Sequence, residues 1–107
     1  MSQTTVWVTS ELMEKVKAKA SQKIGIHPGS VVSLALDLWA RDEWEPEEDV
    51  EGMKDERLFL QLEPSSYQAA LEKRRRVPSH ISVVYRRALA DWVDGKWEIG
   101  LVRHDGS

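Results

Sequence analysis

Arg57-Leu58-Phe59-Leu60-Gln61-Leu62 carries a leucine at every second position. Successive side chains of a strand point to opposite faces, so Leu58, Leu60 and Leu62 make an apolar core face and Arg57, Phe59 and Gln61 make the other. A slip of one residue would turn all three leucines to water, so the register of this strand is well specified. Downstream, Pro64-Ser65-Ser66 starts a helix with Tyr67, Ala70 and Leu71 inward, and the helix runs into the basic Lys73-Arg74-Arg75-Arg76. Pro78-Ser79-His80 then opens a further helix through Val83, Val84, Ala88, Leu89 and Trp92, which Asp94-Gly95 stops. The tail from Trp97, with Ile99, Leu101 and Val102, reads as a small extra strand or packing arm.

Upstream the same order is found. Thr5-Val6-Trp7-Val8-Thr9 alternates, with Val6 and Val8 on one face and Thr5 and Trp7 on the other. Thr9 or Ser10 is a good N-cap for a helix to about Lys23, whose Leu12, Met13, Val16 and Ala20 fall at helical spacing. On this reading Lys15, Lys17, Lys19 and Lys23 face water and Gly25 ends the helix. Pro28 of His27-Pro28-Gly29-Ser30 sits at a first helical position, ahead of a second helix apolar on more than one side: Val31, Val32, Leu34, Ala35, Leu38 and Trp39. The two halves are related by an internal repeat. At an offset of 53 residues, His27, Ala35, Leu36, Trp39 and Trp44 recur as His80, Ala88, Leu89, Trp92 and Trp97.

The chain therefore divides into a first repeat over 1–44, a linker over 45–56, a second repeat over 57–97 and a tail over 98–107, with both repeats sharing one core. At 107 residues there is room for one such core. The net charge of −3 hides a segregation: residues 43–56 carry one Lys against eight Asp/Glu, whereas 57–107 carry nine Lys/Arg against six Asp/Glu. With Pro46, Gly52 and its self-repelling carboxylates, the acidic segment reads as a solvated linker. There is no cysteine, which removes disulfides and thiolate metal cages, and no apolar run approaches the roughly 20 residues that span a bilayer. Without a signal-like start, a cytoplasmic location is expected.

A six-residue strand followed by two helices cannot bury its own apolar face, so each strand needs a partner, and repetition supplies one. The expected fold is mainly α with a short antiparallel two-stranded β-ribbon. Strand, capped helix, Gly-containing turn and an Ala-Leu second helix, from Val6 to Leu36 and again from Leu58 to Leu89, resemble the ribbon-helix-helix (Arc- and MetJ-like) family of bacterial, phage and plasmid DNA-binding proteins. The resemblance covers nearly the whole chain twice, as in the family's single-chain tandem members. It implies an intramolecular pseudo-dimer that acts as a transcriptional repressor or an accessory, nucleoid-associated DNA-organising factor.

It also implies a site. In this family the ribbon enters the major groove of double-stranded DNA, where each base pair shows a distinct donor and acceptor pattern. Carried over, the three outward positions of each strand are Gln3, Thr5 and Trp7 in the first copy and Arg57, Phe59 and Gln61 in the second. Arg57 matches guanine, Gln3 or Gln61 matches adenine, and Thr5 or an aromatic edge matches a thymine methyl. Trp7 and Phe59 depart from the family pattern, in which these positions are polar. Phosphate contacts are implied at the start of each second helix, at Gly29 and Ser30 and at Ser82 and Val83.

Other readings stand beside these. Trp7 and Phe59 also fit packing against the Ile99–Val102 arm, a second copy of the molecule or a protein partner. The four helix-start residues also fit ordinary capping, and the Lys73–Arg76 run also fits a solvated helix end. His27 and His80 have no second ligand at i, i+4, so a turn or cap role is expected and no metal or other cofactor. No phosphate loop, nucleophile with a base, or paired carboxylates in a pocket points to an enzyme. The alternative function is a protein-interaction module or antitoxin-type regulator that binds through the acidic linker or the aromatic face.

Overall fold

The computed structural model describes residues 2–22, 27–46, 48–77 and 80–96. The order is β1 (Ser2–Val8), α1 (Ser10–Gln22), α2 (Pro28–Ala40), β2 (Glu56–Leu62), α3 (Pro64–Arg76) and α4 (Ile81–Val93). The strands pair antiparallel within one chain, from Ser2 opposite Leu62 through Thr5 opposite Phe59 to Val8 opposite Glu56. Glu56, assigned to the linker by sequence, is thus the first residue of β2. Gly25, Lys23, the Pro78-Ser79 pair and the tail from Trp97 lie outside the described residues.

Alternation decides which strand face is covered. Val6, Val8, Leu60 and Leu62 are buried beneath the helices, while Leu58 at the ribbon's end is half-buried. They join Leu12, Met13 and Val16 of α1, Val31, Val32, Leu36 and Trp39 of α2, and Val84, Leu89 and Trp92 of α4 in a single core. α2 is the most apolar helix and buries seven of its residues, in line with its expected burial on several sides.

The helix ends follow local chemistry. Thr9 caps α1, its hydroxyl accepting a bond from the Leu12 amide at 3.0 Å. Pro28 and Pro64 occupy first-turn positions of α2 and α3, where a missing N–H costs nothing. α2 and α4 terminate alike. Asp42 donates its amide to the Trp39 carbonyl and Glu43 to Leu38; Gly95 donates to Trp92 and Lys96 to Asp91. Both are Schellman endings, with the left-handed residue at Asp42 (φ 60°) and Gly95 (φ 79°).

A further feature also occurs twice. Lys19 of α1 donates to the Trp92 carbonyl in the last turn of α4 at 2.8 Å and lies over the Trp92 ring; Lys73 of α3 does the same to Trp39 in α2 at 2.7 Å. Each ammonium meets the negative end of a helix dipole, as a second donor to a carbonyl that the helix-ending turn already engages. The expectation that Lys19 faces water is therefore corrected: it is half-buried. Lys73 is corrected more strongly. It opens the basic run, yet it is only 4% exposed and also bonds Asp42 and Glu45.

The acidic segment is likewise no free linker. Asp49 receives two bonds of 2.8 Å from Arg86 of α4, and the third contact of that guanidinium is the Trp7 carbonyl at 2.9 Å. Trp44 and Val50 pack against the core. Opposite charges from α3 and α4 thus tie down a stretch whose own carboxylates repel one another.

Candidate nucleic-acid interface on the ribbon

The outward strand positions meet as three cross-strand pairs, Gln3 with Gln61, Thr5 with Phe59 and Trp7 with Arg57. All six side chains are exposed, Trp7 at 49% and Phe59 at 58%. No described residue covers this face, and the Ile99–Val102 arm considered as a cover lies outside the described residues. Two-residue periodicity is what brings these six together. The face that the leucines and valines do not use is left to them.

Arg57 is the face's one charged side chain. Its guanidinium lies 5.7 Å from the Trp7 ring centroid and 5.5 Å from that of Phe59. Cation–π contact with two rings restrains a side chain that would otherwise lose much rotamer freedom on binding. Among the described residues no carboxylate pairs with it. The glutamines at the other end are short amides suited to paired donor and acceptor contacts.

The start of α2 borders the glutamine end. His27, Pro28, Gly29 and Ser30, with Phe59 and Gln61, line a concavity of about 470 Å³. Gly29 is buried, and a Cβ there would stand 2.3 Å from the Gln61 carbonyl oxygen. The close approach that this glycine allows is therefore to the strand backbone. Ser30 is exposed, while Ser82 and Val83 are half-buried at the start of α4. The Ser30 and Val83 amides already donate to the His27 and His80 carbonyls, each at 2.9 Å. Helix capping thus occupies two of the four amides considered for phosphate. His27 and His80 hold the N-cap positions without a side-chain capping bond.

The rest of the basic run is not among the six outward residues of this face. Arg74, Arg75 and Arg76 are exposed in the last turn of α3, roughly 15 Å along the helix from its start beside β2. At the Arg57 end the neighbouring charges are acidic, but Asp49 is neutralised by Arg86, whose hydrogen bonds hold its carboxyl below the ordinary range. Neither Arg86 nor Asp49 stands out in the sequence, which places Lys19 and Lys73 in solvent without their helix-end partners. Their contacts span 28 to 79 residues of chain, and no local pattern signals them.

Among the described residues no cluster of three or more His, Cys, Asp or Glu is placed to hold a metal ion, and no helix is long and apolar enough to cross a membrane. Comparison of the chain with protein-family models, with curated proteins and with solved structures finds no significant match.

Proposed function

We propose that the chain is a tandem ribbon-helix-helix protein, its halves forming a pseudo-dimer within one chain, and that it binds double-stranded DNA sequence-specifically through the outer face of the ribbon. As a repressor or DNA-organising factor it would act in the cytoplasm on the nucleoid. The observation that carries this reading is the uncovered row of Gln3, Thr5, Trp7, Arg57, Phe59 and Gln61 on a two-stranded antiparallel ribbon. A ribbon of this kind matches the width of the major groove, and Arg and Gln side chains match the base edges found there. The twofold arrangement is supported by the two lysine clamps, in which the first helix of each half caps the last helix of the other.

The test is a DNA-shift assay at low and moderate salt, with promoter DNA from around the protein's own gene and with random duplex, comparing native protein with Arg57→Ala/Gln61→Ala. Specific binding that the double variant loses, and that weakens linearly in log-log form with salt, is the expected result. No shift of any duplex at low salt overturns the reading.

A protein-binding role is the second reading, favoured by the exposed Trp7 and Phe59 and by a concavity of about 390 Å³ that the 48–51 segment forms with Leu12, Lys15, Arg87 and Val93. Pull-down of a partner that Trp7→Ser/Phe59→Ser releases, with no DNA shift, would favour it.

A further inference from the structure

The outer face is unequal at its two ends. Rotation by the twofold that would exchange β1 and β2 places Gln3 where Arg57 stands, since each is the second residue of its strand, and Gln61 where Trp7 stands. Thr5 and Phe59 exchange at the centre. No outward position keeps its residue. One end therefore offers two amides, Gln3 opposite Gln61, and the other offers a guanidinium held against two rings, Arg57 opposite Trp7. The bordering helix starts differ in the same sense, with Gly29 of α2 packed on the Gln61 backbone while the corresponding Ser82 of α4 carries a side chain.

We infer that the chain reads a non-palindromic duplex element, with Arg57 specifying a guanine at one end and Gln3 with Gln61 specifying adenine at the other. The inference rests on the DNA reading above and adds the polarity of the target and the residues that set it. Arg57 is suited to guanine because its fork can bond O6 and N7 together, and the two rings restrain where it lies before binding. A homodimer would place the same residue at both ends and so demand an inverted repeat; two unlike strands remove that demand. Arg57 and Gln61 are four residues apart, about 14 Å at roughly 3.4 Å per residue. Laid along the groove, this separates the guanine and the adenine by about four base-pair steps at roughly 3.4 Å each.

The experiment is selection from a random duplex library at low salt with the full native chain, Arg57→Ala, Arg57→Lys and Gln3→Ala/Gln61→Ala, each first checked for native circular dichroism and melting. The native chain is expected to enrich a motif without twofold symmetry, with roughly 5- to 150-fold preference for guanine at one position. Arg57→Lys keeps the charge but not the planar fork, so it should still bind with a weaker guanine preference. The glutamine double variant should keep the guanine and relax the adenine. A palindromic motif, or a guanine preference unchanged in Arg57→Ala, overturns this inference and leaves the DNA reading standing. Folded native protein that enriches no duplex over input overturns the DNA reading and this inference with it.

Discussion

Replacing Gly29 by alanine tests how closely α2 is docked on the ribbon. The added Cβ would lie 2.3 Å from the Gln61 carbonyl oxygen, 3.0 Å from its nitrogen and 3.1 Å from its carbonyl carbon. All three are backbone atoms of β2, so no side chain can swing aside. Restoring an ordinary contact requires helix and strand to separate by about 1 Å, in a region where Val31, Val32 and Leu62 are essentially inaccessible to water. Such overpacking costs about 1–3 kcal/mol, against a gain of up to about 1 kcal/mol from alanine's helix propensity, which is smaller in a first turn. The net expectation is a loss of about 1–2 kcal/mol, or a melting temperature lower by roughly 4–15 °C for a domain of this size. Thermal melting by circular dichroism measures it, with Ser82→Ala as the control at the corresponding position of α4, where a Cβ is already accommodated and the change should stay within about 0.5 kcal/mol. A Gly29→Ala melting temperature equal to or above the native value would refute the account.

Lys73→Glu should unfold the chain or cost more than about 3 kcal/mol, because it buries an anion facing Asp42 and Glu45; Lys73→Met should cost far less, and urea titration of the two variants separates charge from packing. The Asp49 carboxyl is held below its ordinary range chiefly by its bonds from Arg86, so its stabilisation is complete above the unfolded value of roughly 3.9 and fades as pH falls through the lower folded value. Native protein should accordingly melt above Asp49→Asn at pH 7, with the gap closing below about pH 4; a gap that widens in acid contradicts this. Gly95→Ala should cost about 1 kcal/mol through backbone strain alone, since a Cβ there touches nothing, and Gly95→Asn should recover part of it in the same melting assay. Burial pushes Tyr85 up to about 12, so an absorbance titration should show its phenolate only near that pH, and Tyr85→Phe should remove that step.

Much of the fold is legible in the sequence because its signals are local. The leucine alternation of Leu58, Leu60 and Leu62 fixes β2 and its face, and prolines and Thr9 mark the helix starts. The repeat is only half visible. β1 and β2, like α1 and α3, are offset by 54 residues, whereas α2 and α4 are offset by 53, because the connection between α3 and α4 is one residue shorter than that between α1 and α2. A search at 53 finds the tryptophans and misses Lys19 and Lys73, which correspond at 54. Five of the six outward residues follow from alternation and Gln3 from the family resemblance, and all fall on one uncovered face. The linker is irregular and largely exposed, as its composition suggests, but its anchoring through Asp49 and Glu45 depends on Arg86 and Lys73 from helices further along the chain, which no local pattern reveals. Gly29's contact with Gln61 was equally hidden, since glycine signals room for an approach but not what approaches.

The pairing of β1 with β2 also sets an order of events. During synthesis the N-terminal strand emerges while its partner, more than fifty residues later, does not yet exist. Until Glu56 to Leu58 have been made, Val6 and Val8 have no strand to pair with and β1 keeps an open edge, so the sheet forms after α1 and α2 are already available. Closing so long a loop is slow relative to forming α1 or α2, which need only their own neighbours. A chain truncated within the acidic segment would carry that open edge permanently and would seek the missing strand in another molecule.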